Sequence, residues 1–221
     1  MDDVAFLFDV DNTLLDNDRV QADLSTHMTH CYGAAARDRY WAIFEDLRRE
    51  LGYADYLGAL ERYRIEATRD PRVLRMSNWL VDYPFADRLY PHALDAVRRV
   101  RQRGRPIVLS DGDAVFQPRK VLRSGIWEAV DGDVLIYIHK EQELHEVERL
   151  YPARHYVLFD DKLRILNAVK KDWKTRVTTV FVRQGHYATD PGILSAYPHG
   201  DLEIDRIEDI LDLDLPRLEQ G

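Results

Sequence analysis

The chain has 221 residues, 45% hydrophobic and 32% charged, with a formal net charge of -8. That length suffices for one large domain or for a domain with a substantial insertion, and the negative charge excludes coating of nucleic acid by bulk electrostatics. Cys31 is the only cysteine, which excludes an intrachain disulfide and a cysteine-built zinc site; with no apolar run of ~18 residues and no basic-then-apolar leader, the expectation is a cytoplasmic protein without a membrane partner.

The first predicted element ends in chemistry. Val4 to Thr13 read Val-Ala-Phe-Leu-Phe-Asp-Val-Asp-Asn-Thr, an apolar run that stops at two carboxylates. A buried strand cannot hold two aspartates in its middle without a large desolvation cost, so Asp9 and Asp11 belong where it runs out into a polar site. Side chains alternate along a strand, so Asp9, Asp11 and Thr13 share one face if extended geometry persists. A plain polar loop, with Asp11 and Asn12 as turn and cap residues, is the bland alternative.

From Leu14 to about Tyr90 there is no convincing strand, whereas Tyr40, Ile43, Phe44, Leu47 and Leu51 recur at helical spacing. This stretch reads as a helical insert, with Pro84 and Pro91 marking the return. Strand and helix then alternate: helix 92–102 closed by Gly104, strand 107–109 running into Ser110, helix 118–123, and strand 134–138 running into Lys140. Helix 141–150, strand 156–159 ending at Asp160 and Asp161, helix 163–171, strand 177–182 and a last helix at 207–211 complete the series. Alternation with near-continuous apolar strands predicts an α/β fold, a Rossmann-like parallel sheet with helices on both faces plus an inserted α-helical cap. In such sheets ligands sit beyond the carboxyl ends of the strands, where Asp9, Asp11, Ser110, Lys140, Asp160 and Asp161 would converge.

Other polar residues read as ordinary. Lys120 falls in mid-helix and is expected to face solvent, as is Lys162. His186 reads as a loop histidine, and His27, His30 and Cys31 lack a fourth ligand. Arg48, Arg49, Arg62 and Arg64 fit an exposed helical face as well as they fit an anionic substrate.

In this order, Asp9-Val10-Asp11-Asn12-Thr13, Ser110, Lys140 and Asp160-Asp161 resemble the four motifs of the haloacid dehalogenase (HAD) superfamily, a group dominated by magnesium-dependent phosphatases. The resemblance makes residues 1–14 and 91–221 the α/β core and residues 15–90 a type-one cap, whose usual job is to close over the cleft and select substrate. The short stretch between Lys140 and Asp160 leaves no room for the other cap type, which points to small metabolites. What the resemblance implies is a Mg2+-dependent phosphomonoester hydrolase acting on a small phosphorylated metabolite. Asp9 would be the nucleophile, forming an aspartyl-phosphate, and Asp11 the general acid and then base. Asp9, the backbone carbonyl of Asp11, Asp160 and Asp161 would hold magnesium. Thr13, Ser110, the backbone amides of Asp111 and Gly112, and Lys140 would surround the phosphate. A phosphomutase and a non-catalytic phosphate-binding protein stay open, as does the choice between monomer and homodimer. True dehalogenation is disfavoured, because that branch generally lacks the second acid and needs no metal. Lys162 and Ile165 depart from the family pattern, standing where a serine and a further acid or glycine often occur.

Overall fold

The computed structural model describes residues 2–68 and 70–214. Among them, β1 (Asp2–Phe8), β2 (Arg105–Asp111), β3 (Val134–Tyr137), β4 (Ala153–Asp160), β5 (Val177–Val182) and β6 (Leu202–Ile204) form one sheet in the order β3-β2-β1-β4-β5-β6, every pair parallel. The helices are α1 (Asn17–Tyr32), α2 (Ala34–Leu51), α3 (Tyr56–Glu66), α4 (Val73–Val81), α5 (Ala93–Val100), α6 (Phe116–Arg123), α7 (Ile126–Ala129), α8 (Leu144–Leu150), α9 (Leu163–Trp173) and α10 (Pro191–Ala196). None is long and apolar enough to cross a membrane.

Alternation along the strands builds two cores. Val4, Phe6 and Phe8 face one cluster with Val108, Val157 and Phe159, under α5, α6 and α7. Ala5 and Leu7 face the other with Leu109, Leu158 and Phe181, under α8 and α9. Being covered on both sides, the central strands β1, β2, β4 and β5 are buried on both faces over most of their length, which is why they read as continuous apolar runs.

α1 to α4 lie between β1 and α5. Asp16 caps α1, its side chain accepting from Arg19 N at 2.9 Å, and Asp55 caps α3 by accepting from Gly58 N at 2.7 Å. α2 stops at Gly52, whose φ of 82° suits glycine. The chain enters and leaves this insert along one seam. Leu15 pairs antiparallel with Leu89, Asp16 N donates to Arg88 O (2.8 Å), and Tyr90 N donates to Leu14 O (3.0 Å).

Three expectations need correction. β6 was not foreseen, because three residues are too few to show a period. The predicted last helix is a 3₁₀ turn, Ile207–Leu211. The helix expected over 141–150 splits into a 3₁₀ turn, Lys140–Gln142, and α8, since the Lys140 amide turns to donate to Asp111 Oδ1 at 2.8 Å.

Candidate active site

The carboxyl ends of β1, β2 and β4 meet at one rim. The ladder of β1 and β4 runs one residue past β1, with Asp9 N donating to Phe159 O at 3.0 Å, and this fixes Asp9 beside Asp160 and Asp161. Lys140 is fully buried. Its Nζ lies 2.6 Å from Asp9 Oδ1, 2.7 Å from Asp160 Oδ2 and 3.1 Å from Leu109 O. Burial works against its charge, but Asp160, Asp9 and Asp111 keep the ammonium above the usual lysine value. Burial likewise works against the Asp9 charge, and the Lys140 and Lys162 ammonium groups overcome it to hold the carboxyl below its usual range. Asp160 and Asp161 go the other way, raised first by burial and then by neighbouring carboxylates.

Asp9, Asp160 and Asp161 each offer an oxygen within 4.8 Å of the others. Asp9 Oδ2 and both Asp161 oxygens are buried without a hydrogen-bond partner. Buried carboxylates in contact are costly unless a cation answers them, and an all-oxygen donor set suits a hard divalent ion. The residues fit magnesium. Asp160 is the most satisfied of the three, with Oδ1 accepting from Lys162 N at 2.8 Å.

Asp11 lies beside this cluster, not within it. β1 gives way to a tight turn with Asn12 at φ 60°, so the extended geometry that would have aligned Asp9, Asp11 and Thr13 does not persist. The Asp11 carboxylate accepts from Lys120 Nζ at 2.5 Å and, more loosely, from Gln117 Nε2 at 3.4 Å. Lys120 therefore corrects the expectation of a solvent-facing side chain: it is buried, and it also donates to Asn17 Oδ1 at 3.1 Å. Ser110, at the end of β2, donates to Asp9 Oδ1 over 3.4 Å and accepts from Gln117 Nε2 at 3.0 Å. Gln117 thus joins Ser110 to Asp11, a link no motif announced.

The phosphate-binding candidates are placed unevenly. Thr13 is fully buried and its hydroxyl has no partner, while its carbonyl accepts from Gln184. The Gly112 amide is already donated to Tyr137 O at 2.9 Å, so it is not the free cradle donor expected. Glycine is needed there for a different reason: a Cβ would meet Gln117 at 2.6 Å. Asp111 is partly buried, and burial raises its carboxyl despite Lys140 and Lys162.

A cleft opens above this rim in two adjoining lobes of about 370 and 300 Å³, both bordered by Asp11, Arg48, Ala54, Lys162, Tyr187 and Ile193. A larger groove of about 520 Å³ lies at the opposite rim, but its charges answer one another, with Arg101 on Asp131 and Arg105 on Asp133. Lys162, also expected in solvent, points into the cleft. Its Nζ is 5.6 Å from the Tyr187 ring centre, and against burial the carboxylates of Asp9, Asp161, Asp160 and Asp111 hold it well above the usual lysine value. Of the cap arginines, Arg48 reaches the cleft and donates to Tyr187 Oη at 3.2 Å, whereas Arg49, Arg62 and Arg64 pair with Asp46, Glu50 and Glu61 at the surface. His186 is held by Asp18, Nδ1 to Oδ1 2.6 Å. His27 and Cys31 sit 3.9 Å apart, and among the described residues only the Asp9, Asp160 and Asp161 group gathers as metal ligands would.

A family model for haloacid dehalogenase-like hydrolases matches residues 4–171. A solved structure from Burkholderia xenovorans LB400, described as a haloacid dehalogenase-like hydrolase, is 61% identical over 96% of this chain and 99% of its own, with a TM-score of 0.92. The HAD-hydrolase YfnB from Bacillus subtilis, solved bound to magnesium, is 15% identical over 95% of this chain and 97% of its own, with a TM-score of 0.64. L-2-haloacid dehalogenase from Xanthobacter autotrophicus, solved with chloropropionic acid covalently bound, is 17% identical over 97% of both chains, with a TM-score of 0.60. At such identities the last two share the fold alone. No curated protein matches the chain. With a family model over most of its length, a near relative along nearly all of it, and buried acids at the rim of a parallel sheet, the chain belongs to the haloacid dehalogenase-like hydrolases.

Proposed function

We propose that this hydrolase is a magnesium-dependent phosphomonoester hydrolase acting on a small phosphorylated metabolite. The observation that carries the reading is the trio of buried, unanswered oxygens, Asp9 Oδ2 and the two of Asp161, beside a second acid at Asp11. A metal-independent dehalogenase has no use for such a trio. Asp9, Asp161, the Asp11 carbonyl and, directly or through water, Asp160 would hold magnesium, which would supply positive charge against the phosphate oxygens.

The chain's own groups supply the rest. Lys140 keeps Asp9 ionised and aimed, so that a carboxylate oxygen attacks phosphorus and an aspartyl-phosphate forms. Asp11 gives its proton to the departing oxygen, then takes one from the water that splits the intermediate. The Ser110 hydroxyl and the Lys140 ammonium bind phosphate oxygens. Residues 15–90 act as the cap over a core of 1–14 and 91–221, and Arg48, from α2, brings the cap's charge to the cleft. The same reading has no nucleic-acid or membrane partner and expects a cytoplasmic enzyme.

Release of phosphate from p-nitrophenyl phosphate, requiring Mg2+ and lost on adding EDTA or in Asp9→Asn, is the expected result. Release of halide from 2-chloropropionate without metal would replace this reading with dehalogenation. Metal binding with no turnover on a broad phosphate panel would replace it with ligand binding.

A further inference from the structure

A lysine in mid-helix ordinarily keeps its ammonium in water. Lys120 does not. It lies on the face of α6 that also buries Phe116 and Gln117, and its Nζ is 5.4 Å from the Phe116 ring centre and 5.9 Å from that of Tyr56. An ammonium among aromatic rings needs a carboxylate to answer it, and the one that does is Asp11, through Oδ1. For stability alone an apolar pair of similar volume would serve as well or better. A fully buried lysine paired to a carboxylate beside the reacting centre therefore points to that centre.

The second partner of Lys120 belongs to the insert. Asn17, in the first turn of α1, accepts from Nζ and passes its own Nδ2 to Tyr56 Oη at 3.2 Å, where Gln21 Nε2 also donates at 3.0 Å. The ammonium thus bridges motif one and three insert residues. Asp11 Oδ1 is committed to this bridge, and Oδ2, with only the long contact from Gln117, is the oxygen left for exchange.

We propose that Lys120 positions Asp11 for proton transfer to the leaving oxygen and ties that position to the insert through Asn17. The inference rests on the phosphatase reading above. As the bond from Asp9 to phosphorus forms, the bond from phosphorus to the ester oxygen breaks, and that oxygen takes the proton of Asp11. Water then attacks phosphorus, its proton going to Asp11 and its hydroxyl to phosphorus, while the bond to Asp9 breaks. Lys120 exchanges no proton; it fixes the geometry in which Asp11 does.

The test uses leaving groups that need the proton unequally. Nitrophenolate departs without one, whereas an alkoxide does not. Full-length Lys120→Met, Lys120→Arg and Asn17→Ala would be compared with wild type, in Mg2+, on p-nitrophenyl phosphate and on the fastest ester of an alkyl phosphate panel. Lys120→Met is expected to lower kcat on the alkyl ester by about 10²-fold and on the aryl ester by less than about tenfold, with KM nearly unchanged. Lys120→Arg should recover part of the alkyl rate, and Asn17→Ala should show the same selectivity at smaller size. Equal losses on both esters, a loss confined to KM, or no loss would overturn the proposal. Should Lys120→Met fail to fold, the other two variants decide it by the same criterion. Wild-type turnover of the aryl ester alone also overturns it, because no proton delivery is then in evidence. Wild type that releases phosphate from neither ester removes the phosphatase reading itself, a failure visible before any variant is measured.

Discussion

Asp161 carries two buried oxygens that accept no hydrogen bond among the described residues, and despite the nearby Lys162 and Lys140 its carboxyl stays above the usual range, so the fold gains when a further cation joins it. Asp161→Asn removes one of three crowded carboxylates, so in EDTA it should raise the free energy of unfolding by about 1–2 kcal/mol. In wild type, Mg2+ should raise the thermal midpoint by mass action, and in Asp161→Asn that rise should vanish. Calorimetry with and without Mg2+ checks both outcomes. Residues of this kind were legible in the sequence because each ends an apolar run: Asp9 after β1, Ser110 in β2, Asp160 and Asp161 at the end of β4. Lys120 and Gln117 were not. A buried lysine has the same letter as a solvated one, and the group that pulls Lys120 inward lies 109 positions away. Lys162 misled in the same way, its orientation being set by acids from three strands.

Among elements, the joint between α1 and the end of the insert is held by one carboxylate. Asp23 accepts from Tyr83 Oη at 2.5 Å and from Arg88 Nε at 2.8 Å. Burial works against its charge, yet these donors keep the carboxyl below its usual range. A depressed folded value means that the stabilisation is complete above the unfolded pKa of ~3.9 and is lost as pH falls through the folded one. Asp23→Asn should therefore cost about 1 kcal/mol at neutral pH, and the gap to wild type should close as pH falls below the unfolded value, as urea midpoints taken down the pH scale would reveal. The end of α2 offers a second test. Gly52 has φ 82°, and a Cβ there would meet His139 Cε1 at 2.5 Å. Gly52→Ala should lower stability by about 1–2 kcal/mol and raise KM, since α2 carries Arg48 to the cleft. Five strands could be read from their apolar runs; β6 and the 3₁₀ turns could not, because their hydrogen bonds answer to tertiary neighbours more than to local pattern.

For the molecule as a whole, the apolar cluster under one face of the sheet does not stop at the insert. Phe44 lies 4.8 Å from Tyr56, and Tyr56 4.9 Å from Phe116 on α6, ring centre to ring centre. Residues of α1 to α4 and of the sheet belong to one cluster. Heat should therefore unfold insert and core in a single calorimetric transition, and two resolved peaks would contradict this. Asp9 is only 2% exposed, and Phe44 and Arg48 of α2 line the cleft at that rim. Hydrogen exchange in α2 and α3 should slow when Mg2+ and a phosphate mimic such as tungstate are added together. Helical spacing marked which side of each insert helix is greasy but not what that side meets, so a shared interior was hidden from the sequence. Its consequence reaches into how the enzyme can diversify. An insert that merely rested on the sheet could be exchanged for another like a tool head, but this one doubles as a retaining wall, and every change to its inner face must also leave the sheet behind it dry.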